Sequence, residues 1–339
     1  MKKTLSIILV ILMIATMVPM AFAVGDGVPL TINLEESGFV RLGQDETYYD
    51  EDGYIFSGKN EDCSVVLNEK CDYIFDNMSA FNIGEYFDGG EVNVLLKGDN
   101  RIVYSWLIGG TDHVIDAEEG AKLTAPTLNT NGQSGTVTVN GGDIVLVRPE
   151  SDNAAPAISC ENLILNNGTV TAIHKNFHTV IGDVTLNGGV LNVKCTSQKH
   201  GAVRADIVMN KGALLTIEST KGQPFEYATM TIAEGLSDKD CFFVRFDKES
   251  EFQPAYLIMR ACEGKSYVEI KIDTHEHILV DDICVCGYDE IAVNDPEPDP
   301  VCEHLCHKKG VKGFLWKIVQ FFTRLFKIDP VCECGEAHY

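Results

Sequence analysis

Apolar and polar residues alternate in short segments through the middle of the chain, and the pattern returns about every 22 residues. A period of two sends one set of side chains to one side of a strand and the other set to the opposite side. Each segment therefore predicts two short strands joined at an asparagine. The clearest copies are Gly135–Leu146, Asn162–Ala172, Asp183–Val193 and Asp206–Thr216.

The copies align on that asparagine, with apolar residues one and three positions before it and four positions after it. Asn-Gly between two strands is also the strongest short hairpin signal, so an antiparallel arrangement is the alternative. The fixed period favours a stack of rungs, because one rung cannot bury its apolar side chains alone. The apolar position after the asparagine holds Ile144, Val170, Leu191 and Leu214. We expect a parallel β-helix in which side-chain amides form a ladder at one corner: Asn140, Asn166, Asn187 and Asn210.

Weaker copies extend the stack in both directions. Towards the N-terminus, Lys97 and Glu118 take the position of the asparagine. After Gly222, further strands without the Asn-Gly signature are predicted to cap the stack. They are Cys241–Phe246, Ala255–Met259 and Tyr267–Ile272.

The first residues have the composition of an export signal. Lys2 and Lys3 precede an apolar run from Leu5 to Met20, and Ala21-Phe22-Ala23 has small residues where a signal peptidase cleaves. The run is short for a membrane span. We therefore expect a secreted protein, associated with the cell surface.

The net charge of the chain limits the kinds of partner that it can bind. The chain has 27 basic and 50 acidic residues, a net charge of −23. Such a charge argues against nucleic acid as a partner and suits calcium or a cationic ligand.

The predicted organisation has five segments. The β-helix includes its N-terminal strands and its cap, and an acidic, Pro-rich linker separates two Cys/His-rich regions. The segments are a signal peptide (1–23), the parallel β-helix (24–272), a small His/Cys cluster (273–288), the linker (289–300) and a Cys/His tail with a basic amphipathic helix (301–339).

The opening strands and the later Asn-Gly rungs resemble a family of secreted bacterial surface proteins. The strands that carry the resemblance are Gly53–Gly58, Cys63–Leu67, Asp72–Asn77 and Asn93–Ile102. The family comprises right-handed β-helix proteins of clostridia and related gut bacteria, described as carbohydrate-binding domain proteins. The resemblance covers roughly residues 31–220. It implies an all-β, right-handed parallel β-helix, a plant or host polysaccharide as ligand, and calcium as a cofactor.

Two similar Cys/His clusters flank the linker. One has His275 and His277 before Cys284 and Cys286, and in the other a cysteine takes the place of His275. Zinc accepts thiolate and imidazole alike, so this exchange favours a structural zinc site over a disulfide. Extracellular cysteines commonly pair, and a disulfide remains the alternative. The second cluster contains Cys302, His304, Cys306, Cys332 and Cys334.

An amphipathic helix is predicted between the two halves of the second cluster. Lys317 and Arg324 fall on its basic face, and aromatic residues cover much of the rest. Such a helix is too short to span a membrane and suits an interface, so we expect the tail to contact the cell envelope or a partner protein. The alternative is packing against the rest of the chain. In the motifs at His304–His307, Gly313–Ile318 and Cys332–Gly335, the tail also resembles one shared by secreted proteins of gut Firmicutes. The aromatic residues of the predicted helix are Trp316, Phe321, Phe322 and Phe326.

Asn162, Asp183 and Asp206 occupy one column of the repeat, so adjacent carboxylates would lie about 4.8 Å apart. They could bind calcium, act as an acid and nucleophile pair, or be exposed polar residues that open each strand. Histidines 113, 174, 178 and 200 are predicted at the surface. Six cysteines outside the tail are predicted as buried thiols or local bridges: Cys63, Cys71, Cys160, Cys195, Cys241 and Cys262.

The sequence contains no G-x-S-x-G, H-E-x-x-H or P-loop motif. We therefore expect a non-catalytic carbohydrate-binding protein. The alternatives are a polysaccharide lyase or hydrolase of the β-helix type, and a structural adhesin that binds a protein.

Overall fold

The computed structural model describes residues 29–42, 53–68, 70–130, 135–148, 155–237, 239–255 and 258–275, and the backbone of 279–280 and 283–284. The chain divides into two compact units, one of residues 1–278 with 285–287 and one of residues 279–284 with 288–339. Of the second unit, the described part is a pair of antiparallel two-residue strands, Leu279–Val280 and Ile283–Cys284. No helix in the described ranges has the length and hydropathy needed to cross a bilayer.

The first unit is a β-solenoid of about 8 turns, in which 23 strands form one continuous hydrogen-bonded sheet. A 3-10 helix (Leu34–Glu36) and a single helical turn, α1 (Ile258–Ala261), interrupt the strands. The strands are β1 (Leu30–Asn33), β2 (Phe39–Leu42), β3 (Tyr54–Lys59), β4 (Ser64–Leu67), β5 (Tyr73–Glu85), β6 (Asp88–Lys97), β7 (Asp99–Leu107), β8 (Gly110–Ala117), β9 (Lys122–Ala125), β10 (Leu128–Asn129), β11 (Thr136–Val139), β12 (Asp143–Val147), β13 (Ile158–Leu165), β14 (Thr169–His174), β15 (Val180–Leu186), β16 (Val190–Cys195), β17 (Val203–Arg204), β18 (Asp206–Met209), β19 (Leu214–Ser219), β20 (Thr229–Ile232), β21 (Asp240–Arg245), β22 (Gln253–Pro254) and β23 (Tyr267–Thr274), followed by β24 (Leu279–Val280) and β25 (Ile283–Cys284) in the second unit.

Parallel pairing between successive turns produces three faces. Face 1 contains β1, β3, β6, β8, β11, β18 and β20 with the first part of β5 and the last parts of β13 and β15. Face 2 contains the start of β7 with β9, β12, β14, β16 and β19. Face 3 contains β2, β4, β10 and β17, the ends of β5 and β7, and the starts of β13 and β15. The predicted parallel β-helix is confirmed, and the hairpin alternative is wrong for these strands.

Inward side chains of equivalent strands lie in register along the axis. On face 1, Val139 pairs with Leu165, Leu165 with Leu186, and Leu186 with Met209. All four are fully buried, and burying such a side chain stabilises the fold by about 1.5 to 3 kcal/mol. The alternation therefore places the core where the repeat predicts it.

The predicted amide ladder forms in part. Asn166 Nδ2 donates to Asn140 Oδ1 at 2.8 Å, and Asn187 Nδ2 donates to Asn166 Oδ1 at 2.8 Å. Asn210 continues the backbone stacking, but its Oδ1 accepts from the neighbouring Lys211 N at 3.0 Å. A carboxylate supplies a fourth rung below these three asparagines, because Asn140 Nδ2 donates to Asp116 Oδ1 at 2.9 Å.

Glycine is required at these corners. Gly168 has φ +85° and Gly189 has φ +68°, both in the left-handed region. A Cβ at Gly168 would lie 2.5 Å from Gly142 O, and a Cβ at Gly189 would lie 2.5 Å from Gly168 O. Backbones of successive turns approach this closely because neither residue has a side chain.

Three details of the predicted alignment are wrong. Asn140 aligns with Asp116, and Asp116 pairs with Leu95, so the asparagine column passes two residues before both Glu118 and Lys97. Leu191 pairs with Leu215 and not with Leu214, because the corner before β19 is one residue longer. The segment predicted as a strand at 255–259 has helix α1 from Ile258.

The end of the solenoid changes direction. β23 pairs antiparallel with β19 and with β21, and β21 pairs antiparallel with β22. Val268 and Ile270 of β23 are fully buried. The strands predicted at Cys241–Phe246 and Tyr267–Ile272 therefore correspond to β21 and β23, with slightly different bounds. They cap the last parallel turn.

Candidate functional site

Exposed aromatic side chains concentrate on the first turns of face 3. Phe81 and Tyr104 stack with ring centroids 5.2 Å apart and planes only 10° from parallel. The two side chains lie at neighbouring bulges of β5 and β7, where the pairing register shifts between Ala80 and Asn82. A bulge directs an additional side chain away from the core, so both rings face solvent.

Two further aromatic residues share this face. Phe39 points outward from β2 and is 57% exposed, whereas Val40 beside it is buried. Tyr86 is 65% exposed, and its ring lies over Gly84, where a Cβ would be 3.0 Å from the ring. We call Phe39, Phe81, Tyr86 and Tyr104 the aromatic patch. They are four of the six large exposed hydrophobic side chains in the described residues.

Polar groups border the aromatic patch. The Arg41 guanidinium lies 5.8 Å from the ring centroid of Phe39, and Ser64 and Asn82 follow Phe39 in one outward column. Arg101 and Glu61 form an exposed ion pair of 2.8 Å at the corner that leads to Phe81 and Tyr104. Flat rings with donors and acceptors beside them can bind a ligand that has both apolar and hydroxylated surfaces.

No protein-family model, curated protein or solved structure matches this chain. The chemistry of the exposed side chains is therefore the basis for any functional conclusion.

A second group of side chains lies at the corner between faces 2 and 3. One nitrogen each of His178 and His200 and one carboxylate oxygen of Glu226 lie within 4.8 Å of one another. Within the described part of the chain, no other group of three or more His, Cys, Asp and Glu residues lies this close. His178 is almost fully buried, and the other two residues are partly exposed.

The loops that hold these residues are shaped by side chains turned towards the backbone. His174 Nδ1 accepts from the N–H groups of Asn176 and Phe177, which fixes the loop before His178. Ser197 Oγ accepts from His200 N at 3.2 Å and fixes the next loop.

The expectation that histidines 113, 174 and 178 lie at the surface is wrong, since all three are buried.

A third polar group is enclosed inside the solenoid. The Glu85 carboxylate lies 2.5 Å from Tyr73 Oη, 3.1 Å from Trp106 Nε1 and 2.8 Å from His113 Nε2. Gly109 N is 3.3 Å from it. Burial and the adjacent Glu85 carboxylate raise the pKa of Tyr73 well above its ordinary value. Solvent does not reach these groups, and their hydrogen bonds connect three successive turns inside the solenoid.

The acidic column predicted to bind calcium is present on the surface of the solenoid. Asn162 pairs with Asp183, and Asp206 lies on the next turn with its carboxylate 2.6 Å from Thr229 Oγ1. Asp183 and Asp206 are exposed. Calcium binding there remains a prediction.

The tail predictions lie mostly outside the described residues. His275 is described, and its ring contacts Phe243 edge-on at 6.1 Å. Cys284 lies in β25, of which the backbone is described. The remaining predicted zinc or disulfide ligands and the helix residues lie outside the described ranges: His277, Cys286, Cys302, His304, Cys306, Cys332, Cys334, Trp316, Lys317, Phe321, Phe322, Arg324 and Phe326.

Several cysteines of the solenoid are inert thiols. Burial raises the pKa of Cys160 and of Cys262 to about 12 and raises that of Cys195. A thiol is nucleophilic only as the thiolate, so these side chains are unreactive at neutral pH. The expectation of buried thiols is confirmed for Cys63, Cys160, Cys195 and Cys262.

Proposed function

We propose that this protein is a secreted, cell-surface-associated, non-catalytic carbohydrate-binding protein that binds polysaccharide on the aromatic patch. The observation that supports the proposal is the exposed, nearly parallel stack of Phe81 and Tyr104. Large apolar groups that remain exposed on a folded surface, clustered and rimmed by polar groups, are typical of interaction sites.

Polysaccharide is the ligand class that fits this surface. One side of a sugar ring presents C–H bonds, which carry partial positive charge and stack on the electron-rich face of an aromatic ring. The hydroxyl groups at its rim need donors and acceptors, and Arg41 and Ser64 offer both beside the rings. Four aromatic side chains spread over several turns suit an extended chain of sugars better than a single small molecule.

The export signal and the tail belong to the same proposal. The signal at residues 1–23 delivers the chain to the outside of the cell, where polysaccharide is available. The basic amphipathic segment of the tail then attaches it to the envelope or to a partner protein.

Binding of the full chain to a panel of plant and host polysaccharides tests the proposal. Removing the stack with the double variant Phe81→Ala/Tyr104→Ala should weaken the Kd for the best ligand by about tenfold or more, equivalent to about 1.4 kcal/mol. Titrations by calorimetry, with calcium and with a chelator, measure the Kd and the contribution of the acidic column at Asp183 and Asp206.

Tyr227→Ala is the matched control, because Tyr227 is 85% exposed and lies outside the aromatic patch. It should bind like the unmodified chain. Equal affinity of the double variant and the control would overturn the assignment to the patch. Release of unsaturated or reducing sugar during incubation would instead identify a lyase or hydrolase. Lack of binding to every polysaccharide would remove the carbohydrate proposal and favour an adhesin with a protein partner.

A further inference from the structure

Three successive turns bring their corner loops together between faces 2 and 3. The loops are residues 175–179, 196–202 and 220–224, and Glu226 follows the last one. His178, His200 and Glu226 come from one turn each, so the parallel stacking of the turns builds the cluster. This arrangement is independent of the aromatic patch and of the proposed carbohydrate binding.

Gly201 positions two of the three side chains with its backbone. Its carbonyl oxygen lies 3.0 Å from His178 Nδ1, and its N–H donates to Glu226 Oε2 at 2.5 Å. A carbonyl only accepts, so Nδ1 of His178 carries the proton of the neutral ring, and the same Nδ1 lies 4.0 Å from Glu226 Oε2. A metal ion bound at this nitrogen would replace that proton. A Cβ at Gly201 would lie 2.7 Å from Glu226 Cβ, so only glycine permits this approach.

The three side chains supply ligand types that suit a cation. Two imidazoles and one carboxylate lie together at this corner, and these are good ligands for a late first-row divalent metal.

The dimensions are close to those that a metal requires. Zinc binds imidazole nitrogen and carboxylate oxygen at about 2.0 to 2.2 Å, so tetrahedral ligands lie about 3.4 Å apart. The three donor atoms lie within 4.8 Å of one another, and small side-chain rotations of the partly exposed His200 and Glu226 bring them to bonding distance. The exposed side of these two residues leaves a fourth position open to solvent.

We propose that His178, His200 and Glu226 bind one divalent transition-metal ion, for which Zn²⁺ is the probe. The ion fastens three corner loops of successive turns to one another. Lys221 competes with it, because its Nζ lies 4.0 Å from Glu226 Oε2.

Zinc content of the full chain after equilibration and desalting tests the proposal, with the predicted tail ligands present in every variant. His200→Ala and Glu226→Gln should each bind one zinc fewer than the unmodified chain. The Glu226→Gln side chain can still accept from Gly201 N, so the loop is retained. Gln198→Ala changes an exposed residue of the same loop and should leave the zinc content unchanged.

Hydrogen exchange read peptide by peptide separates this site from the tail. Zinc should slow exchange in residues 175–179 and 196–202 of the unmodified chain and of Gln198→Ala, but not of His200→Ala. Lys221→Met should bind zinc more tightly, because a competing charge is removed. Equal zinc content in all variants, or zinc protection confined to the tail, would overturn the proposal.

Discussion

At the scale of single residues, Glu85 is a carboxylate enclosed by aromatic side chains in the first turns. Tyr73 and Trp106 donate to it from two strands, and His113 reaches it from a third turn. Phe75 packs edge-on against Trp106 with centroids 5.6 Å apart. The carboxylate thereby connects aromatic groups that apolar packing alone would hold less specifically.

Replacing Glu85 should be among the most destabilising single changes in the solenoid. Glu85→Ala leaves several buried donors without an acceptor, and breaking such a buried group costs about 3 to 5 kcal/mol. Urea unfolding followed by circular dichroism measures the loss. Glu119→Ala is the matched control at an exposed corner, where less than about 0.5 kcal/mol is expected. A loss for Glu85→Ala as small as that of the control would contradict the structural role assigned to the carboxylate.

The residues of the repeat could be predicted because they recur, and the isolated ones could not. Asn140, Asn166 and Asn187 recur at one position, and their ladder was predicted. His113 occupies the inward column of Val137 and Leu163, so alternation in β8 was the signal for its burial. That signal was missed because the prediction placed His113 outside the strand, whereas β8 begins at Gly110.

At the scale of elements, the cap is tied to the last parallel turns by charged side chains. Asp240 at the start of β21 accepts from Lys211 Nζ and from Thr274 Oγ1, both at 2.9 Å. Lys211 belongs to the corner before β19, and Thr274 ends β23. One carboxylate therefore joins two cap strands to the turn that they cover.

This carboxylate should make the stability of the cap depend on pH. The Lys211 hydrogen bond, with that of Thr274, lowers the pKa of Asp240 in the folded state. A lowered folded pKa means that the contribution is complete above the ordinary carboxyl pKa of about 3.9 and is lost as pH falls through the lower folded value. Asp240→Asn should thus lower the urea midpoint at pH 6, and the difference from the unmodified chain should vanish in strong acid.

Asp62→Asn provides the control for that experiment, since Asp62 is exposed in the loop before β4 and lies far from the cap along the chain. Hydrogen exchange of β21 and β23 at pH 6 and pH 3 locates the change. A difference between Asp240→Asn and the unmodified chain that persists unchanged at pH 3 would show that the charge is not its cause.

Elements were predicted where the alternation is strict and missed where corner lengths vary. A corner longer by one residue moves Leu215 into the column predicted for Leu214. The reversal of direction at β23 has no pattern of its own, because an antiparallel cap strand alternates like any rung.

At the scale of the whole molecule, the chain has a net charge of −23, and stacking of the turns brings equivalent charged positions close together. Exposed carboxylates such as Asp183 and Asp206 recur on neighbouring turns. A large net charge destabilises the compact state through self-repulsion. Exposed ion pairs such as Lys97 with Glu118, 3.1 Å apart, contribute little against this.

Salt should therefore stabilise the protein. Raising sodium chloride from about 0.01 M to about 0.1 M shortens the Debye length from about 30 Å to about 10 Å. Repulsion is then screened, and the Tm measured by scanning calorimetry should rise. Sucrose at matched osmolality controls for effects other than screening. A falling Tm would mean that the surface ion pairs outweigh the repulsion.

The architecture could be predicted from the sequence as a whole because a solenoid repeats its period, but its binding surfaces could not. Phe81 and Tyr104 are exposed at bulges, and no column of the repeat marks them. His178 and Glu226 meet only because loops of successive turns overlie one another. Both candidate sites depend on departures from the repeat.

Parallel stacking also makes the solenoid a ruler. Each turn advances about 4.8 Å along the axis, and the aromatic patch and the three-residue cluster belong to different turns. Duplicating one turn between them would lengthen their separation by that single increment and leave both sites intact. The two sites are thus separated by a whole number of turns. Evolution can change that number by gain or loss of repeats without remodelling either site.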